Sequence, residues 1–249
     1  MKRLDQLVTV HVRSRTRAQR LIRQGHVSIG ADGGWRVVTK PGEKLPETTE
    51  LRIAEAPEER YVSRAGLKLE ALLETMGRRL DGFTVLDIGQ STGGFSDCAL
   101  RYGAKRIVGI EVGHDQLDVS LRDDDRVTCL EGVNARQLPS TRLETLAPEG
   151  FDAVVMDVSF ISQTLILPEI ARVLRAGGEL YSLVKPQFEV GPGKVDSRGI
   201  VRDAGLYRGV ADTLHQACDS LGLDIDHWQD SPIQGGDGNH EFLLHALRR

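Results

Sequence analysis

The sequence predicts an α/β protein in two parts, a small α+β module followed by a larger domain built on a mostly parallel seven-stranded sheet. Three observations predict it. From residue 84 onward, short apolar strands alternate with helical patterns, as in βα units whose sheet is covered on both faces. The stretch "VLDIGQSTGGF", residues 85–95, joins a strand to a helix through Gly89, Gly93 and Gly94. Charge is also divided: residues 1–40 hold nine Lys or Arg against Asp5 and Asp32, whereas the rest of the chain carries 23 basic and 34 acidic side chains.

The amino-terminal elements follow from local pattern. Leu4, Leu7 and Val8 have helical spacing. In "SRTRAQRLIRQG", Ser14 is placed to cap a second helix, Ala18, Leu21 and Ile22 form its apolar face, and Gly25 ends it. Strands are expected at 26–30, 35–38 and 49–55, separated by "ADGG" and "KPG" turns. The first domain is therefore assigned to residues 1–56, a linker to 57–62 and the second domain to 63–249.

The second domain opens with a helix over 63–77, capped by Ser63, lined by Leu67, Leu69, Leu72 and Leu73, and closed by Gly77. Strands are expected at 84–89, 106–112, 127–132, 151–158 and 178–185, with helices at 94–103, 114–123, 162–174 and 204–222. A closing hairpin, 224–233 with 240–248, turns around "QGGDGN".

Composition limits the function. The 249 residues are 40% hydrophobic, an ordinary globular value, and contain no run of 18 apolar residues. No membrane partner is expected. The start has no long apolar run or small-residue cleavage pattern, so no signal peptide is read. Three scattered cysteines, Cys98, Cys129 and Cys218, suggest buried hydrophobes in a reducing cytoplasm, and the seven histidines form no recognisable metal-binding pattern.

The glycine turn selects among nucleotide-like ligands. It lacks Gly-Lys-Ser/Thr, and a dinucleotide fingerprint would need glycine at Ser91. Asp87 would repel a pyrophosphate but tolerates a cationic amino acid and sulfonium. Glu111, ending the second strand, is placed for both ribose hydroxyls of an adenosine. Together these favour S-adenosylmethionine over NAD, with Gly89, Gln90, Ser91, Gly93, Gly94 and Phe95 as the loop and Val133 and Asn134 beside adenine. A turn needed only for packing stays open.

Four charged residues stand out. Lys68 falls in the first turn of its helix, where the dipole disfavours a cation. Asp157 follows the apolar "AVVM", and Lys185 follows another apolar strand and precedes Pro186, which is expected to stop regular structure. Both lie where open α/β sheets place their sites. Glu241 alone could be an edge-strand charge. The arginines Arg13, Arg15, Arg17, Arg20 and Arg23, with Arg3 and Arg64, suit RNA phosphates, and a merely solvated helix stays open. Phe188 suits either a base or the core.

Five stretches together, "YVSRAGLKLEALL", "LDIGQSTGGFSDCAL", "MDVSFIS", "LVKPQFEVGPGKV" and "GNHEFLLH", resemble the TlyA-like ribosomal RNA 2'-O-methyltransferases, also called haemolysin A-like. The amino-terminal stretch resembles the small RNA-binding domain shared with a small-subunit ribosomal protein. The resemblance implies a Rossmann-like, S-adenosylmethionine-dependent methyltransferase domain of the heat-shock type. It implies a Lys-Asp-Lys-Glu tetrad of Lys68, Asp157, Lys185 and Glu241, with Asp157 also near the cofactor. The implied reaction is metal-free, in-line methyl transfer to the 2'-hydroxyl of cytidine, with ribosomal RNA or ribosomal subunits as partner and a monomer as the working form. An assembly factor with little turnover, or an enzyme for another RNA, is the alternative. A DNA amino-methylating enzyme would carry a Pro-Pro-aromatic motif after Asp157, and "DVSF" does not. One departure concerns Gln90, where the family often has alanine; its longer side chain is expected to narrow the methionine end of the pocket.

Overall fold

A computed structural model describes residues 1–12, 14–31, 33–54, 60–235 and 238–249. Arg13, Asp32, residues 55–59 (the end of the expected first domain and the start of the expected linker) and part of the "QGGDGN" loop lie outside the described residues. The chain divides into two compact units, Met1–Arg60 and Tyr61–Arg249.

The first unit runs β1 (Lys2–Arg3), α1 (Leu4–Thr9), α2 (Arg15–Arg23), β2 (Val27–Ala31), β3 (Gly34–Val38), β4 (Lys44–Leu45) and β5 (Leu51–Ile53). Strands β3, β2 and β5 form an antiparallel sheet in that order, and β1 pairs with β4 in a ribbon that sequence pattern missed. Two-residue strands carry no readable periodicity. Ser14 caps α2 as expected, its hydroxyl accepting from the Arg17 amide at 3.2 Å. Leu4, Val8, Ala18, Leu21, Ile22, Val27, Ile29 and Val38 form the core.

A carboxylate organises this small core. Asp5 is fully buried. It accepts from Arg3 Nε at 3.0 Å and Nη2 at 3.1 Å, from Arg15 Nε at 3.1 Å and Nη2 at 3.0 Å, and from Gln19 Nε2 at 2.9 Å. Hydrogen bonds from Arg3 above all, helped by Gln19 and Arg15, hold its carboxyl well below the usual range despite burial. Arg3 and Arg15 are thus committed to Asp5 as well as partly exposed. The stabilisation is present throughout neutral pH and is lost only as pH falls through the low native value. Asp5→Ala should lower the melting temperature of the first unit by about 5 °C or more, because two guanidiniums lose their acceptor at once; differential scanning calorimetry checks this.

The second unit runs α3 (Ala65–Met76), β6 (Thr84–Ile88), α4 (Gly94–Arg101), β7 (Arg106–Glu111), α5 (Val119–Arg122), β8 (Val127–Glu131), α6 (Ser140–Leu146), β9 (Phe151–Met156), α7 (Leu167–Val173), β10 (Leu174–Val184), α8 (Pro186–Glu189), α9 (Leu206–Ser220), β11 (Leu223–Asp230) and β12 (Phe242–Arg248). Its seven-stranded sheet has the order β11-β12-β10-β9-β6-β7-β8. Only β12 runs against its neighbours; the pairs from β10 to β8 are all parallel.

Side chains alternate across this sheet. Leu86, Ile88, Val108, Ile110, Val154, Met156, Leu180 and Val184 enter one core, with Ile170 of α7 and Leu214 of α9. Val85, Ile107, Ala153, Val155, Leu183 and Leu243 enter the other, with Leu69, Leu72 and Leu73 of α3 and Ala99 of α4. Cys98 and Cys218 are buried among them, whereas Cys129 is half-buried, and all three are free thiols.

Several boundaries differ from expectation. The helix expected over 162–174 is split into a 3-10 turn, Gln163–Leu165, and α7, whose first turn contains Pro168. Pro186 opens the short α8 rather than stopping regular structure. The helix α6 was not expected. Ser63 makes no side-chain cap on α3. Tyr61 and Val62, placed in the linker by sequence, belong to the second unit: Tyr61 is buried and donates to Glu70 Oε1 at 2.8 Å, and the Val62 amide donates to Asp97 Oδ2 at 2.9 Å. Among the described residues, no helix is long and apolar enough to cross a membrane.

Candidate active site

The alternation that buries the apolar side chains also places the charged ones. Asp157 follows β9 and Lys185 follows β10, two residues beyond Val155 and Leu183. Val184 pairs with Phe242 across β10 and β12, and one step beyond that pair lie Lys185 and Glu241. Antiparallel β12 therefore brings its own beginning to the edge where the parallel strands end.

Four side chains meet there as two ion pairs. Lys185 Nζ is 2.6 Å from Asp157 Oδ1 and donates to Ser159 Oγ at 3.0 Å. Lys68 Nζ donates to Glu241 Oε2 at 2.5 Å, and both side chains are buried. The unfavourable position of Lys68 on α3 is thus offset by a buried carboxylate.

Two cavities adjoin the Lys185–Asp157 pair, and neither is lined by Lys68 or Glu241. The larger, about 510 Å³, is lined by Glu111, Val112, Gln116, Val133, Asn134, Ala135 and Ile166, and by Phe160 and Ile161. The smaller, about 190 Å³, is lined by Ser63, Ala65, Gln90, Thr92, Gly94, Phe95 and Lys185. Gly89, Ser91, Asp157 and Ser159 line both. Gly89 has φ +81°, and a Cβ there would stand 2.6 Å from the Asp157 carbonyl oxygen. Only glycine lets the turn pass that close to the end of β9.

Glu111 is held in advance. Oε2 accepts from the Ser91 amide at 2.8 Å and Oε1 from the Gly113 amide at 2.7 Å. Oε1 also accepts a long hydrogen bond from Gln116 Nε2 at 3.5 Å, so Oε2 keeps a lone pair for a further donor and Oε1 can take one in place of Gln116.

Two expected cofactor contacts lie elsewhere. Gly93 caps α4 and lines neither cavity, packing instead toward Leu117 and Leu121. Asp87 is fully buried beneath the turn and also lines neither cavity. It accepts from Ser96 Oγ at 2.6 Å, and Ser96 Oγ accepts from Gln90 Nε2 at 2.8 Å.

The side chain of Gln90 follows the same inward course. It is 3% exposed and lies over Gly109 of β7, where a Cβ would be 1.9 Å from Gln90 Oε1. Gln90 still lines the smaller cavity, but the glycine in the neighbouring strand gives the end of its side chain a slot inside the sheet–helix layer.

Sequence reasoning missed Ser159, Phe160 and Glu189. Phe160 is 90% exposed and has φ +63°, a strained setting for an aromatic residue. Its ring centroid is 5.0 Å from that of half-buried Phe188. The available signal was an aromatic three residues after Asp157 in a polar loop.

Two outcomes follow. Gly109→Ala should cost about 1–3 kcal/mol by overpacking Gln90, and adding Gln90→Ala should restore much of the loss in chemical denaturation. Burial pushes the Asp87 carboxyl up to about 7, with Asp157 adding repulsion and Ser96 opposing. Its contribution to stability is complete below the ordinary aspartate range and is lost as pH rises through about 7. The melting temperature of Asp87→Asn should therefore gain on wild type between about pH 4 and about pH 7 and level off above that.

The FtsJ-like methyltransferase family matches residues 61–248. A Bacillus subtilis protein provisionally named rRNA methyltransferase YqxC is 40% identical over 98% of this chain and 85% of its own. The 16S/23S rRNA (cytidine-2'-O)-methyltransferase TlyA of Mycobacterium tuberculosis is 38% identical over 93% of this chain and 84% of its own. A solved Streptococcus thermophilus structure with a provisional hemolysin name is 38% identical, covers 99% of this chain and 88% of its own, and superposes with a TM-score of 0.74.

Proposed function

The chain belongs to the FtsJ-like methyltransferase family, and from that premise we propose that it moves a methyl group from S-adenosylmethionine to the ribose 2'-hydroxyl of a cytidine in ribosomal RNA. The observation that carries this reading is the Lys185–Asp157 pair, 2.6 Å apart where the two cavities adjoin. The name of the mycobacterial relative supports the choice of ribosomal RNA and of cytidine.

The lining residues fit the cofactor. Glu111 Oε2 has a lone pair for one ribose hydroxyl, and the second hydroxyl displaces the 3.5 Å Gln116 contact at Oε1; Val133 and Ile166 offer apolar walls with Asn134 beside them, and the smaller cavity takes the amino-acid end. When bound, S-adenosylmethionine supplies a methyl carbon already activated by its sulfonium. Lys185 is the general base or main activator of the attacking hydroxyl, whose proton passes toward Nζ as the oxygen attacks. Asp157 and Ser159 orient that nitrogen. Lys68, fastened by Glu241, offsets negative charge developing on the ribose oxygen. Phe160 provides an exposed ring on which the target base stacks, with Phe188 behind it.

The first unit, residues 1–56 by the sequence division, anchors RNA through Arg17, Arg20 and Arg23 of α2, assisted by Arg3 and Arg15; Arg64, exposed at the opening of α3, adds a contact in the second unit. The protein acts as a cytoplasmic monomer on RNA rather than DNA.

The test is nucleoside mass spectrometry of ribosomal subunits from cells lacking this gene, incubated with the protein and deuterium-methyl S-adenosylmethionine. Labelled 2'-O-methylcytidine is the expected product. Lys185→Ala should lose roughly a hundred-fold or more of the turnover while still binding cofactor. A well-folded Lys185→Ala protein that methylates at the normal rate removes the base assignment.

A further inference from the structure

Residues 158–161 form a short arch between two fastened feet. At the first foot, Asp157 and Ser159 are held by Lys185, as described. The second foot is Ser162 and Gln163, and it is held by a different side chain. Ser162 Oγ donates to Glu189 Oε2 at 2.6 Å, and the Gln163 amide donates to Glu189 Oε1 at 2.9 Å. Gln163 is itself buried, donating from Nε2 to the Leu183 carbonyl at 2.7 Å and accepting from Ser182 Oγ at 2.9 Å. Phe160 forms the crest.

A phenylalanine at positive φ with most of its surface in water does not hold that position unaided. Its own burial contributes little, so the backbone on either side must be over-determined. Glu189 supplies half of that determination, and it does so from the segment that begins with Lys185. It ends α8, one residue after Phe188. The carboxylate therefore ties the loop after β9 to the loop after β10 at a point set apart from the Lys185–Asp157 pair. Carboxylate oxygens accepting one hydroxyl and one amide make charge-assisted hydrogen bonds; an amide in their place accepts from one partner only, must donate to the Ser162 hydroxyl instead, and carries no charge assistance.

We infer that Glu189 is a positioning residue for RNA, clasping Ser162 and Gln163 so that the Phe160 ring stands ready beside Lys185. This rests on the methyl-transfer reading and deepens it: the base-binding ring is set by a carboxylate that touches neither RNA nor cofactor. The reacting atoms are held by one fastening and the target base by the other.

The experiment compares wild type, Glu189→Gln, Ser162→Ala, Phe160→Ala and the Phe160→Ala/Glu189→Gln double variant, all as full chains. Two readouts are taken: steady-state methylation of ribosomal subunits, and amide hydrogen exchange across residues 158–164. Glu189→Gln should lower kcat/KM for the subunits by roughly ten-fold or more and speed exchange in that segment, with Ser162→Ala falling between it and wild type. In the Phe160→Ala background Glu189→Gln should cost nothing further, because the ring through which it acts is gone. An equal cost in both backgrounds, or turnover and exchange that stay at wild-type values in Glu189→Gln, overturns the inference. Wild-type protein that binds cofactor yet methylates no RNA overturns the methyl-transfer reading instead, and exchange then judges the clasp by itself.

Discussion

The contact between Lys185 and Asp157 is the point from which the rest of the site takes its position. It joins the ends of two adjacent parallel strands, so neither loop beyond them can move without breaking an ion pair in a partly desolvated place. The glycine turn approaches within van der Waals distance of Asp157's backbone, and Ser159 is fixed by the same ammonium. The two cavities, the Lys185 ammonium and the aromatic crest take their places from where two buried strands stop.

Much of this was legible in the sequence because alternation is strict in a covered sheet. Asp157 and Lys185 stood out as charges directly after apolar runs, and those runs are strands. Lys68 stood out for the opposite reason, as a cation where its helix opposes one, and its partner proved to be Glu241, 173 positions away. Nothing local could announce that pairing; it depends on β12 running antiparallel beside β10. Ser14 was readable because a cap is decided within four residues.

Side chains whose destination is set by another strand were not readable. Gln90 lines the smaller cavity, as its own turn suggests, but the course of its side chain toward Ser96 is set by Gly109 on the neighbouring strand. Asp87 was expected beside the cofactor because it ends its strand, yet the even step along β6 turns it under α4 to Ser96. The division of the 162–174 helix was local but competed with a long helical pattern, and the fastening of Gln163 to β10 won. The arginines of the first unit combine both cases: Arg15 is on the surface as its spacing suggests, while a buried carboxylate on the other helix has a hold on it.

The fit of Gln90 over Gly109 has a consequence for how such a sequence can change over generations. The two positions share one volume, one in the turn after β6 and one inside β7, nineteen places apart in the chain. A lineage that shortens the first side chain leaves a hollow, and one that lengthens the second creates a collision, so each single step is a loss of fitness that the other step repairs. The two positions are therefore coupled: what residue 90 can be depends on what residue 109 is, and a change at either alone must be carried by an excess of stability until the other follows.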